Sequence, residues 1–170
     1  MAPSVDHIPS FVRLLNEPSV ARWTLHMPYP YRASHGRMWI RWAARNRRDG
    51  RALSFVIRRR SDGAVLGGAG VHHIDDGGTS GEVGYWLARP YRGLGYGREA
   101  VDLLARTAFR RLGLHRLEAR ILPGNLASRR LAVRCGFRYE GRLRDEIQKD
   151  GRWRATLLFA RVASDRPSRR

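Results

Sequence analysis

The chain has 170 residues, the size of one ordinary domain with a hydrophobic core of its own. Its single cysteine, Cys135, excludes an intramolecular disulfide and a zinc site built on paired cysteines. The 33 basic residues outnumber the 15 acidic ones and give a net charge of +18, which predicts attraction to polyanions such as RNA or a ribosome.

No segment is an apolar run of the length that a signal peptide or a membrane span needs. We therefore expect a cytoplasmic protein with no membrane partner and no metal. The positive charge would repel cationic small molecules, although the arginines are scattered along the chain. The sequence leaves the oligomeric state open and is compatible with a homodimer.

The predicted elements alternate between helices and strands. Helical spacing of apolar residues predicts helices over 11–22 and 37–47, whereas prolines keep 23–31 out of a helix, and its aromatic residues suit a loop that lines a cleft. Two later helices, over 99–112 and 126–135, each end at a glycine. Strands are predicted at 53–60, 65–74, 82–88, 116–122, 138–144 and 153–162.

The order of these elements predicts how the sheet is built. Strands 82–88 and 116–122 are joined through a loop and a helix, so they should be parallel neighbours with a right-handed crossover. The last two strands flank a turn and should form an antiparallel hairpin. The predicted fold class is α/β (α+β), a mixed sheet flanked by about four helices. One domain spans 1–163, and 164–170 form a mobile tail.

A glycine loop, Arg92-Gly93-Leu94-Gly95-Tyr96-Gly97-Arg98, connects strand 82–88 to the helix that follows. Its backbone N–H groups should be unpaired and aligned with the positive end of the helix dipole, which suits a diphosphate. A dinucleotide fingerprint would need glycine at 98, and a P-loop would end in Gly-Lys-Ser/Thr, so neither motif is present. A simple strand-to-helix connection would need fewer glycines.

The run from Gly84 to Gly97, with its Arg-x-x-Gly-x-Gly core, resembles the acetyl-CoA signature of the GNAT N-acetyltransferase superfamily. Asn125, Ser128 and the stretch 135–144 resemble its ribosomal-protein-alanine N-acetyltransferase branch. The resemblance implies a splayed sheet with acetyl-CoA between two diverging strands and direct acetyl transfer to an amine. Members usually open with a short strand. Here that edge strand is missing, or the start codon lies upstream.

The resemblance also assigns residues to the cofactor. Backbone groups of the segment 85–88 would hold the thioester and the pantetheine arm, and Asn125 would hydrogen-bond that arm or its neighbouring strand. Ser128 would donate to the departing sulfur, although Asn125 and Ser128 equally suit the cap and first turn of a helix. The predicted cofactor-binding residues are Tyr85, Trp86, Leu87, Arg92, Gly93, Leu94, Gly95, Tyr96, Gly97, Arg98, Asn125 and Ser128.

Glu82 is the candidate general base, because it begins the strand before the glycine loop and matches a position where the family often has a glutamate. The alternative is a solvated carboxylate paired with an arginine. Glu118 on the next strand is a second carboxylate, expected in an ion pair. Together with Glu82, the predicted acceptor-binding residues are the aromatics Trp23, Tyr29 and Tyr31.

Other conspicuous side chains are expected to be structural. Trp39 and Trp42 lie at helical spacing and should belong to the core. His72 and His73, adjacent on a strand, should face opposite sides, which argues against a joint site. Cys135 should be a small buried hydrophobe.

Three functions remain open. The first is acetylation of a protein N-terminus, with a ribosomal protein as the leading acceptor. The second is acetylation of a small-molecule amine, since fold alone does not set the acceptor. The third is a non-catalytic module that binds RNA or the ribosome and senses acetyl-CoA.

Overall fold

The computed structural model describes residues 1–165. Within them, one mixed sheet of six strands has the order β1-β2-β3-β4-β6-β5. The strands are β1 Leu53–Arg58, β2 Val65–His72, β3 Ser80–Leu87, β4 Arg116–Ile121, β5 Arg138–Lys149 and β6 Arg152–Val162. Only β3 and β4 are a parallel pair in this part of the chain, and β5 and β6 form the expected antiparallel hairpin.

Helices cover both faces of the sheet. On one face, α4 and α5 pack over a core that includes Val83, Leu104 and Leu117. On the other, α1 to α3 enclose a smaller core around Phe11 and Val56. The helices are α1 Ile8–Leu15, α2 Pro18–Trp23, α3 Ala33–Arg48, α4 Tyr96–Arg111 and α5 Leu126–Arg134. Across residues 1–165, no helix combines the length and apolar character needed to cross a membrane.

The single helix predicted over 11–22 is wrong, because the chain breaks between α1 and α2. Pro18 has no N–H to continue the helix, and it takes the first position of α2. Asn16 at the break exchanges hydrogen bonds with the backbone of Tyr31, both 2.8 Å long. The break therefore anchors the loop that follows α2.

Within residues 1–165 no strand precedes the first helix, and only Met1 pairs with β1. Met1 and Val56 of β1 exchange backbone hydrogen bonds, with Val56 N–H donating to Met1 O at 2.8 Å and the Met1 amino group donating back at 3.2 Å. This pairing occupies the free side of β1 before the chain enters a short 3-10 helix at Val5–His7.

The C-terminal boundary differs from the prediction of a tail that begins at 164. Asp165 accepts the Val162 N–H at 3.0 Å and pairs with Arg138 at 3.0 Å. The last strand is therefore closed by a turn. The remainder of the predicted tail, 166–170, lies outside the described residues.

The parallel pairing of β3 with β4 is short. Only Ser80, Gly81 and Glu82 align with Arg116, Leu117 and Glu118, and beyond Glu82 no pairing between the two strands is present. Since β3 continues to Leu87 along β2, and β4 continues to Ile121 along β6, the two strands diverge. The sheet is splayed at its centre, as the resemblance implies.

Strand β2 depends on glycines, because β3 lies close against it. A Cβ added to Gly67 would lie 2.1 Å from Trp86 O, and one added to Gly68 would lie 2.7 Å from Trp86 Nε1. A backbone carbonyl cannot move aside as a flexible side chain can. Gly67 is therefore required by close approach between strands.

We expect Gly67→Ala to lower the free energy of unfolding by about 1–3 kcal/mol, the usual cost of overpacking a dense region. Gly141→Ala is the matched control, because Gly141 is also in a strand and its added Cβ would meet nothing within 4 Å. Urea unfolding followed by circular dichroism measures both. Equal loss of stability in the two variants would contradict this assignment.

Candidate active site

The backbone amides of the glycine loop are free. Within residues 1–165, no N–H from Gly93 to Arg98 donates to a protein acceptor, and the first helical bond runs from Glu99 N–H to Gly95 O. Gly95 is the cap of α4, so Tyr96, Gly97 and Arg98 form its first turn and are not loop residues. The amides of 93–98 therefore surround the positive end of a 16-residue helix.

The three glycines serve different purposes. Gly93 and Gly95 have φ of 78° and 86°, in the left-handed region that only glycine adopts at little cost. A Cβ at either position would meet no protein atom within 4 Å. At Gly97 a Cβ would come within 3.1 Å of Leu131 and 3.4 Å of Leu87, so this glycine lets α4 pack against α5 and β3.

The Arg92 side chain is engaged by the protein. Its guanidinium donates to Leu87 O at 2.9 Å and to Ser19 Oγ at 2.7 Å, and it lies 3.7 Å from Glu17. Arg92 thus ties the start of α2 to the end of β3. Arg98 lies 3.7 Å from Asp102 on the same helix, and Leu94 is exposed at the tip of the loop.

The gap between β3 and β4 presents backbone groups. Ala88 N–H donates to Leu66 O of β2, whereas Leu87 O points the other way and accepts from Arg92. Because polar groups alternate in direction along a strand, those of Val83 and Tyr85 face the gap. The segment 85–88, which was predicted to hold the cofactor, therefore borders the gap. The Trp86 side chain packs against the smaller core, on the face of the sheet that α1 to α3 cover.

The start of α5 lies across this gap. Asn125 Oδ1 accepts the Ser128 N–H at 3.1 Å. Asn125 therefore caps α5, which was the alternative to its predicted role in cofactor binding. The Tyr85 hydroxyl donates to Ser128 O at 3.4 Å, and burial raises the pKa of Tyr85 to about 12. Tyr85 therefore remains a neutral phenol that brings β3 and α5 together. The Ser128 side chain is half-buried beside it.

A cavity of about 360 Å³ opens on the other face of the sheet. Three glutamates from three strands border it: Glu82 of β3, Glu118 of β4 and Glu146 of β5. Further lining side chains are Leu25, His26, His73, Ser80, Arg120 and Ile147.

Arg120 joins the three carboxylates. Its Nη1 lies 3.0 Å from Glu82 and 2.8 Å from Glu118, and its Nε lies 2.8 Å from Glu146. Among the lining residues the carboxylates outnumber the guanidinium three to one, so the cavity is acidic within a chain of net charge +18. No group of three or more His, Cys, Asp or Glu side chains in residues 1–165 is placed to hold a metal ion.

Two chain segments outside the central strands also border the cavity. Leu25 and His26 follow α2, and Ile147 lies near the tip of the β5–β6 hairpin. Lys149 of that hairpin donates to Ala21 O and Thr24 O, both at 2.9 Å. This clasp holds the hairpin against the end of α2.

The aromatic residues that were predicted to bind the acceptor do not lie together in the structure. Tyr31 is buried in the smaller core, so its placement in the cleft is corrected: packing, not substrate contact, accounts for it. The Trp23 side chain packs against the turn before α5, and it lies 3.1 Å from where an added Cβ of Gly124 would be. Tyr29 is exposed. Trp39 packs on the smaller core as expected, whereas Trp42 is exposed enough that its assignment to the core is also corrected.

The two histidines do not share a strand, which corrects the sequence prediction. Strand β2 ends at His72, and His73 has φ of 49° in the left-handed region, so the alternation of faces stops there. His73 Nδ1 lies 3.6 Å from Glu82 Oε2 at the cavity. Sequence reasoning missed His73, Arg120, Glu146 and Lys149 as site residues. A positive φ and contacts between distant strands leave no signal in spacing.

Comparison with known proteins places the chain in a family. The model of the acetyltransferase (GNAT) domain matches residues 2–138. The uncharacterized N-acetyltransferase p20 of Bacillus licheniformis is 35% identical over 112 residues, which are 66% of this chain and 63% of that protein. The match therefore spans less than two thirds of that relative's length.

Solved structures share the fold over most of the chain. RimJ of Mycobacterium smegmatis, in complex with CoA-disulfide, has a TM-score of 0.87 at 27% identity, with 95% of this chain and 79% of that chain covered. The ribosomal-protein-S5-alanine acetyltransferase of Vibrio fischeri has a TM-score of 0.85 at 21% identity, with 97% and 92% covered. Given a family match over most of its length, this chain belongs to the GNAT acetyltransferases.

Proposed function

We propose that this protein is an N-acetyltransferase that moves the acetyl group of acetyl-CoA to an amine, and that the amine is the α-amine of a protein N-terminus. The observation that carries the proposal is the run of free amides at the start of α4. The amides of residues 93–98 form a cradle that fits the diphosphate of CoA, because an added Cβ at Gly93 or Gly95 would meet only open space.

The rest of the site fits the remainder of the cofactor. The gap between β3 and β4 offers the backbone groups of Val83 and Tyr85 to an amide-containing arm, as an added strand would be bound. Acetyl-CoA, when bound, supplies an activated thioester. We assign the Ser128 hydroxyl to donate to the sulfur and so orient the leaving group, because Ser128 begins α5 beside Tyr85 of β3.

The acidic cavity supports an amine acceptor. Amines are protonated in neutral water, and three glutamates close together favour a cation despite the positive charge of the whole chain. We assign Glu82, Glu118 and Glu146 to the attraction of the acceptor ammonium. The repulsion of cationic small molecules expected from net charge does not extend to this cavity, because exposed charges beyond about 8 Å are screened at physiological salt.

A protein N-terminus is favoured over a small amine by likeness to relatives. RimJ from Mycobacterium smegmatis is similar over 95% of this chain, and the S5-alanine acetyltransferase of Vibrio fischeri shares the fold. His26 lines the cavity and is exposed to solvent, so a chain could extend outward past it from a bound amine.

Acetyl-CoA binding depends on the cradle. We expect Gly95→Ala to raise the Kd for CoA at least about 10-fold, equivalent to about 1.4 kcal/mol, because the added Cβ extends into the space in front of the amides. Gly113→Ala is the matched control: its φ is 71°, its Cβ would also meet nothing, and it lies beyond the far end of α4. Isothermal titration calorimetry measures both, and equal affinities would contradict the assigned site.

Acceptor class is tested with purified protein, acetyl-CoA and three probes: peptides with free N-termini, the same peptides N-terminally blocked but containing lysine, and spermidine. We expect acetylation of the free α-amines, located by mass spectrometry. Glu146→Gln should raise the KM for the peptide about 5- to 10-fold while leaving the Kd for CoA unchanged, because one cavity charge is lost.

Glu140→Gln is the control for this variant, because Glu140 pairs with Arg116 outside the lining of the cavity. Acetylation of spermidine alone would replace the proposed acceptor by a small polyamine. Absence of transfer to all three probes, with CoA still bound, would favour the non-catalytic module.

A surface of α3 supports attraction to RNA. Arg37, Arg41, Arg45 and Arg48 are all exposed and recur at i, i+4, i+8 and i+11, which places them along one side of the helix. Only Arg45 among these four has an acidic partner within residues 1–165, Asp49 at 3.7 Å. We propose that this arginine stripe contacts RNA phosphates when the enzyme reaches a ribosomal substrate.

The stripe predicts a salt-dependent affinity. Replacing Arg37, Arg41 and Arg48 with glutamine should reduce the slope of log affinity against log salt by about 2, measured by fluorescence anisotropy with a hairpin RNA. Replacing the exposed Arg106, Arg110 and Arg111 of α4 removes the same charge elsewhere. Equal losses in the two triple variants would show attraction by net charge without a defined surface.

A further inference from the structure

The proposed acetyl transfer needs a proton acceptor, because an ammonium must lose a proton before its nitrogen can attack a carbonyl. The inference below rests on that proposed function. Two kinds of side chain border the acidic cavity and could take the proton: the glutamates, and the histidines His26 and His73.

Glu82 is poorly placed for this task. Its Oε2 already accepts from Arg120 Nη1 at 3.0 Å, and its side chain is only 18% exposed. A proton on this carboxylate would remove the negative charge that Arg120 faces in a half-buried site, which costs the ion pair. The same objection holds for Glu118 and Glu146, since both contact Arg120 at 2.8 Å.

His73 has the geometry that Glu82 lacks. Its side chain is 71% exposed, lines the cavity and turns its Nδ1 toward Glu82 Oε2 at 3.6 Å. That distance is slightly longer than a hydrogen bond, and a small rotation of the exposed ring would close it. With Nδ1 directed to the carboxylate, Nε2 is the nitrogen left to accept a proton. This is the familiar arrangement of a histidine oriented by an acid.

The backbone holds His73 in an unusual conformation. Its φ of 49° is in the left-handed region, where side chains other than glycine are uncommon and where strain often marks functional residues. The conformation ends β2 and lets His73 approach Glu82, whereas His72 is the strand partner of Glu82 in the register of β2 and β3.

His72 does not compete for the role. It is partly enclosed, with its Nε2 3.3 Å from Ser54 Oγ, and burial together with the neighbouring His73 lowers the pKa of His72 to about 4. An imidazole with so low a pKa is a weak base. Of the pair, His73 is the histidine whose ring is exposed and lines the cavity.

We propose that His73 is the general base of the transfer and that Glu82 orients it. In this dyad, His73 Nε2 takes a proton from the acceptor ammonium, and Glu82 stabilises the resulting imidazolium. Glu82 is then a positioning residue for His73, and Glu118 and Glu146 attract the substrate.

A protonated acceptor amine loses two protons in the reaction. His73 receives one proton and later returns it to solvent. The freed nitrogen lone pair forms the C–N bond to the acetyl carbonyl carbon as the C–S bond breaks, and the sulfur leaves with that bond's electron pair. The second proton lost from nitrogen ends on the sulfur, so the products are an amide and a thiol.

Several charged and titratable groups surround His73. Glu82 faces it from β3, His72 precedes it on β2, and Glu118 with Arg120 of β4 and Glu146 of β5 complete the cavity. His26 enters from the loop after α2. Asp75, two residues along the chain, is occupied by Thr79 and Ser80.

The kinetic test compares His73→Asn with the wild type, using a peptide that the wild type acetylates. Asparagine tolerates the left-handed conformation but cannot take the proton. We expect kcat to fall about 100-fold near pH 7 with KM nearly unchanged, the usual size of a lost general base. The deficit should shrink toward high pH, where the amine is free without help.

His115→Gln is the control variant, because His115 is exposed beside the start of β4 and does not line the cavity. It should match the wild type throughout. A His73→Asn enzyme with wild-type kcat and pH profile would overturn the proposal, and so would a constant deficit at every pH.

A second readout needs no acceptor and no acetyl-CoA. Histidine Cε1–H signals are followed by NMR against pH in the ligand-free wild type and in Glu82→Gln. If Glu82 stabilises the His73 imidazolium, the His73 titration midpoint moves to lower pH in the variant while that of His115 stays in place. Coincident His73 curves would refute the dyad even if transfer is observed, and a shift without any transfer would instead implicate the proposed function.

Discussion

The loss of pairing between β3 and β4 after Glu82 is the constraint on which the rest of the site depends. Because the strands diverge there, the backbone groups of Tyr85 face the gap with no paired residue of β4 beside them. The same divergence leads β3 toward the free amides at the start of α4. The last paired residues, Glu82 and Glu118, remain side by side and begin the acidic cavity. The gap between β3 and β4 and the acidic cavity therefore meet at the point where the two strands separate.

The cavity shows why net charge is a weak guide to a binding site. The chain carries +18, yet three glutamates within contact distance of one arginine set the local field. Energies between charges fall with distance and with salt, so a carboxylate at 3–4 Å outweighs many exposed arginines at 15 Å. In the proposed function, the global charge attracts a polyanion and the cavity attracts a cation. The two roles do not conflict, since they lie on different surfaces.

The sequence predicted what local pattern determines. All six strands, the parallel pair and the glycine loop followed from spacing, turns and the order of elements. Four features did not follow. The break at Asn16 and Pro18 needed the proline to outweigh helical spacing, Tyr31 was drawn into the core by Asn16, and Arg120 met Glu146 only through the register of β4, β6 and β5. His73 depended on one positive φ, which no spacing rule reveals.

Lys149 illustrates a contact whose residue type has a physical reason. It is the one lysine in the sequence, among 33 basic residues. Its ammonium donates to Ala21 O and Thr24 O at the end of α2, where the last carbonyls carry the negative end of a helix. A compact ammonium can direct two donors to converging acceptors, whereas a planar guanidinium spreads its donors in a fixed fork. The clasp holds the hairpin that carries Glu146 against the loop that carries His26. Two segments that border the acidic cavity are therefore joined by a contact between residues more than 120 positions apart in sequence.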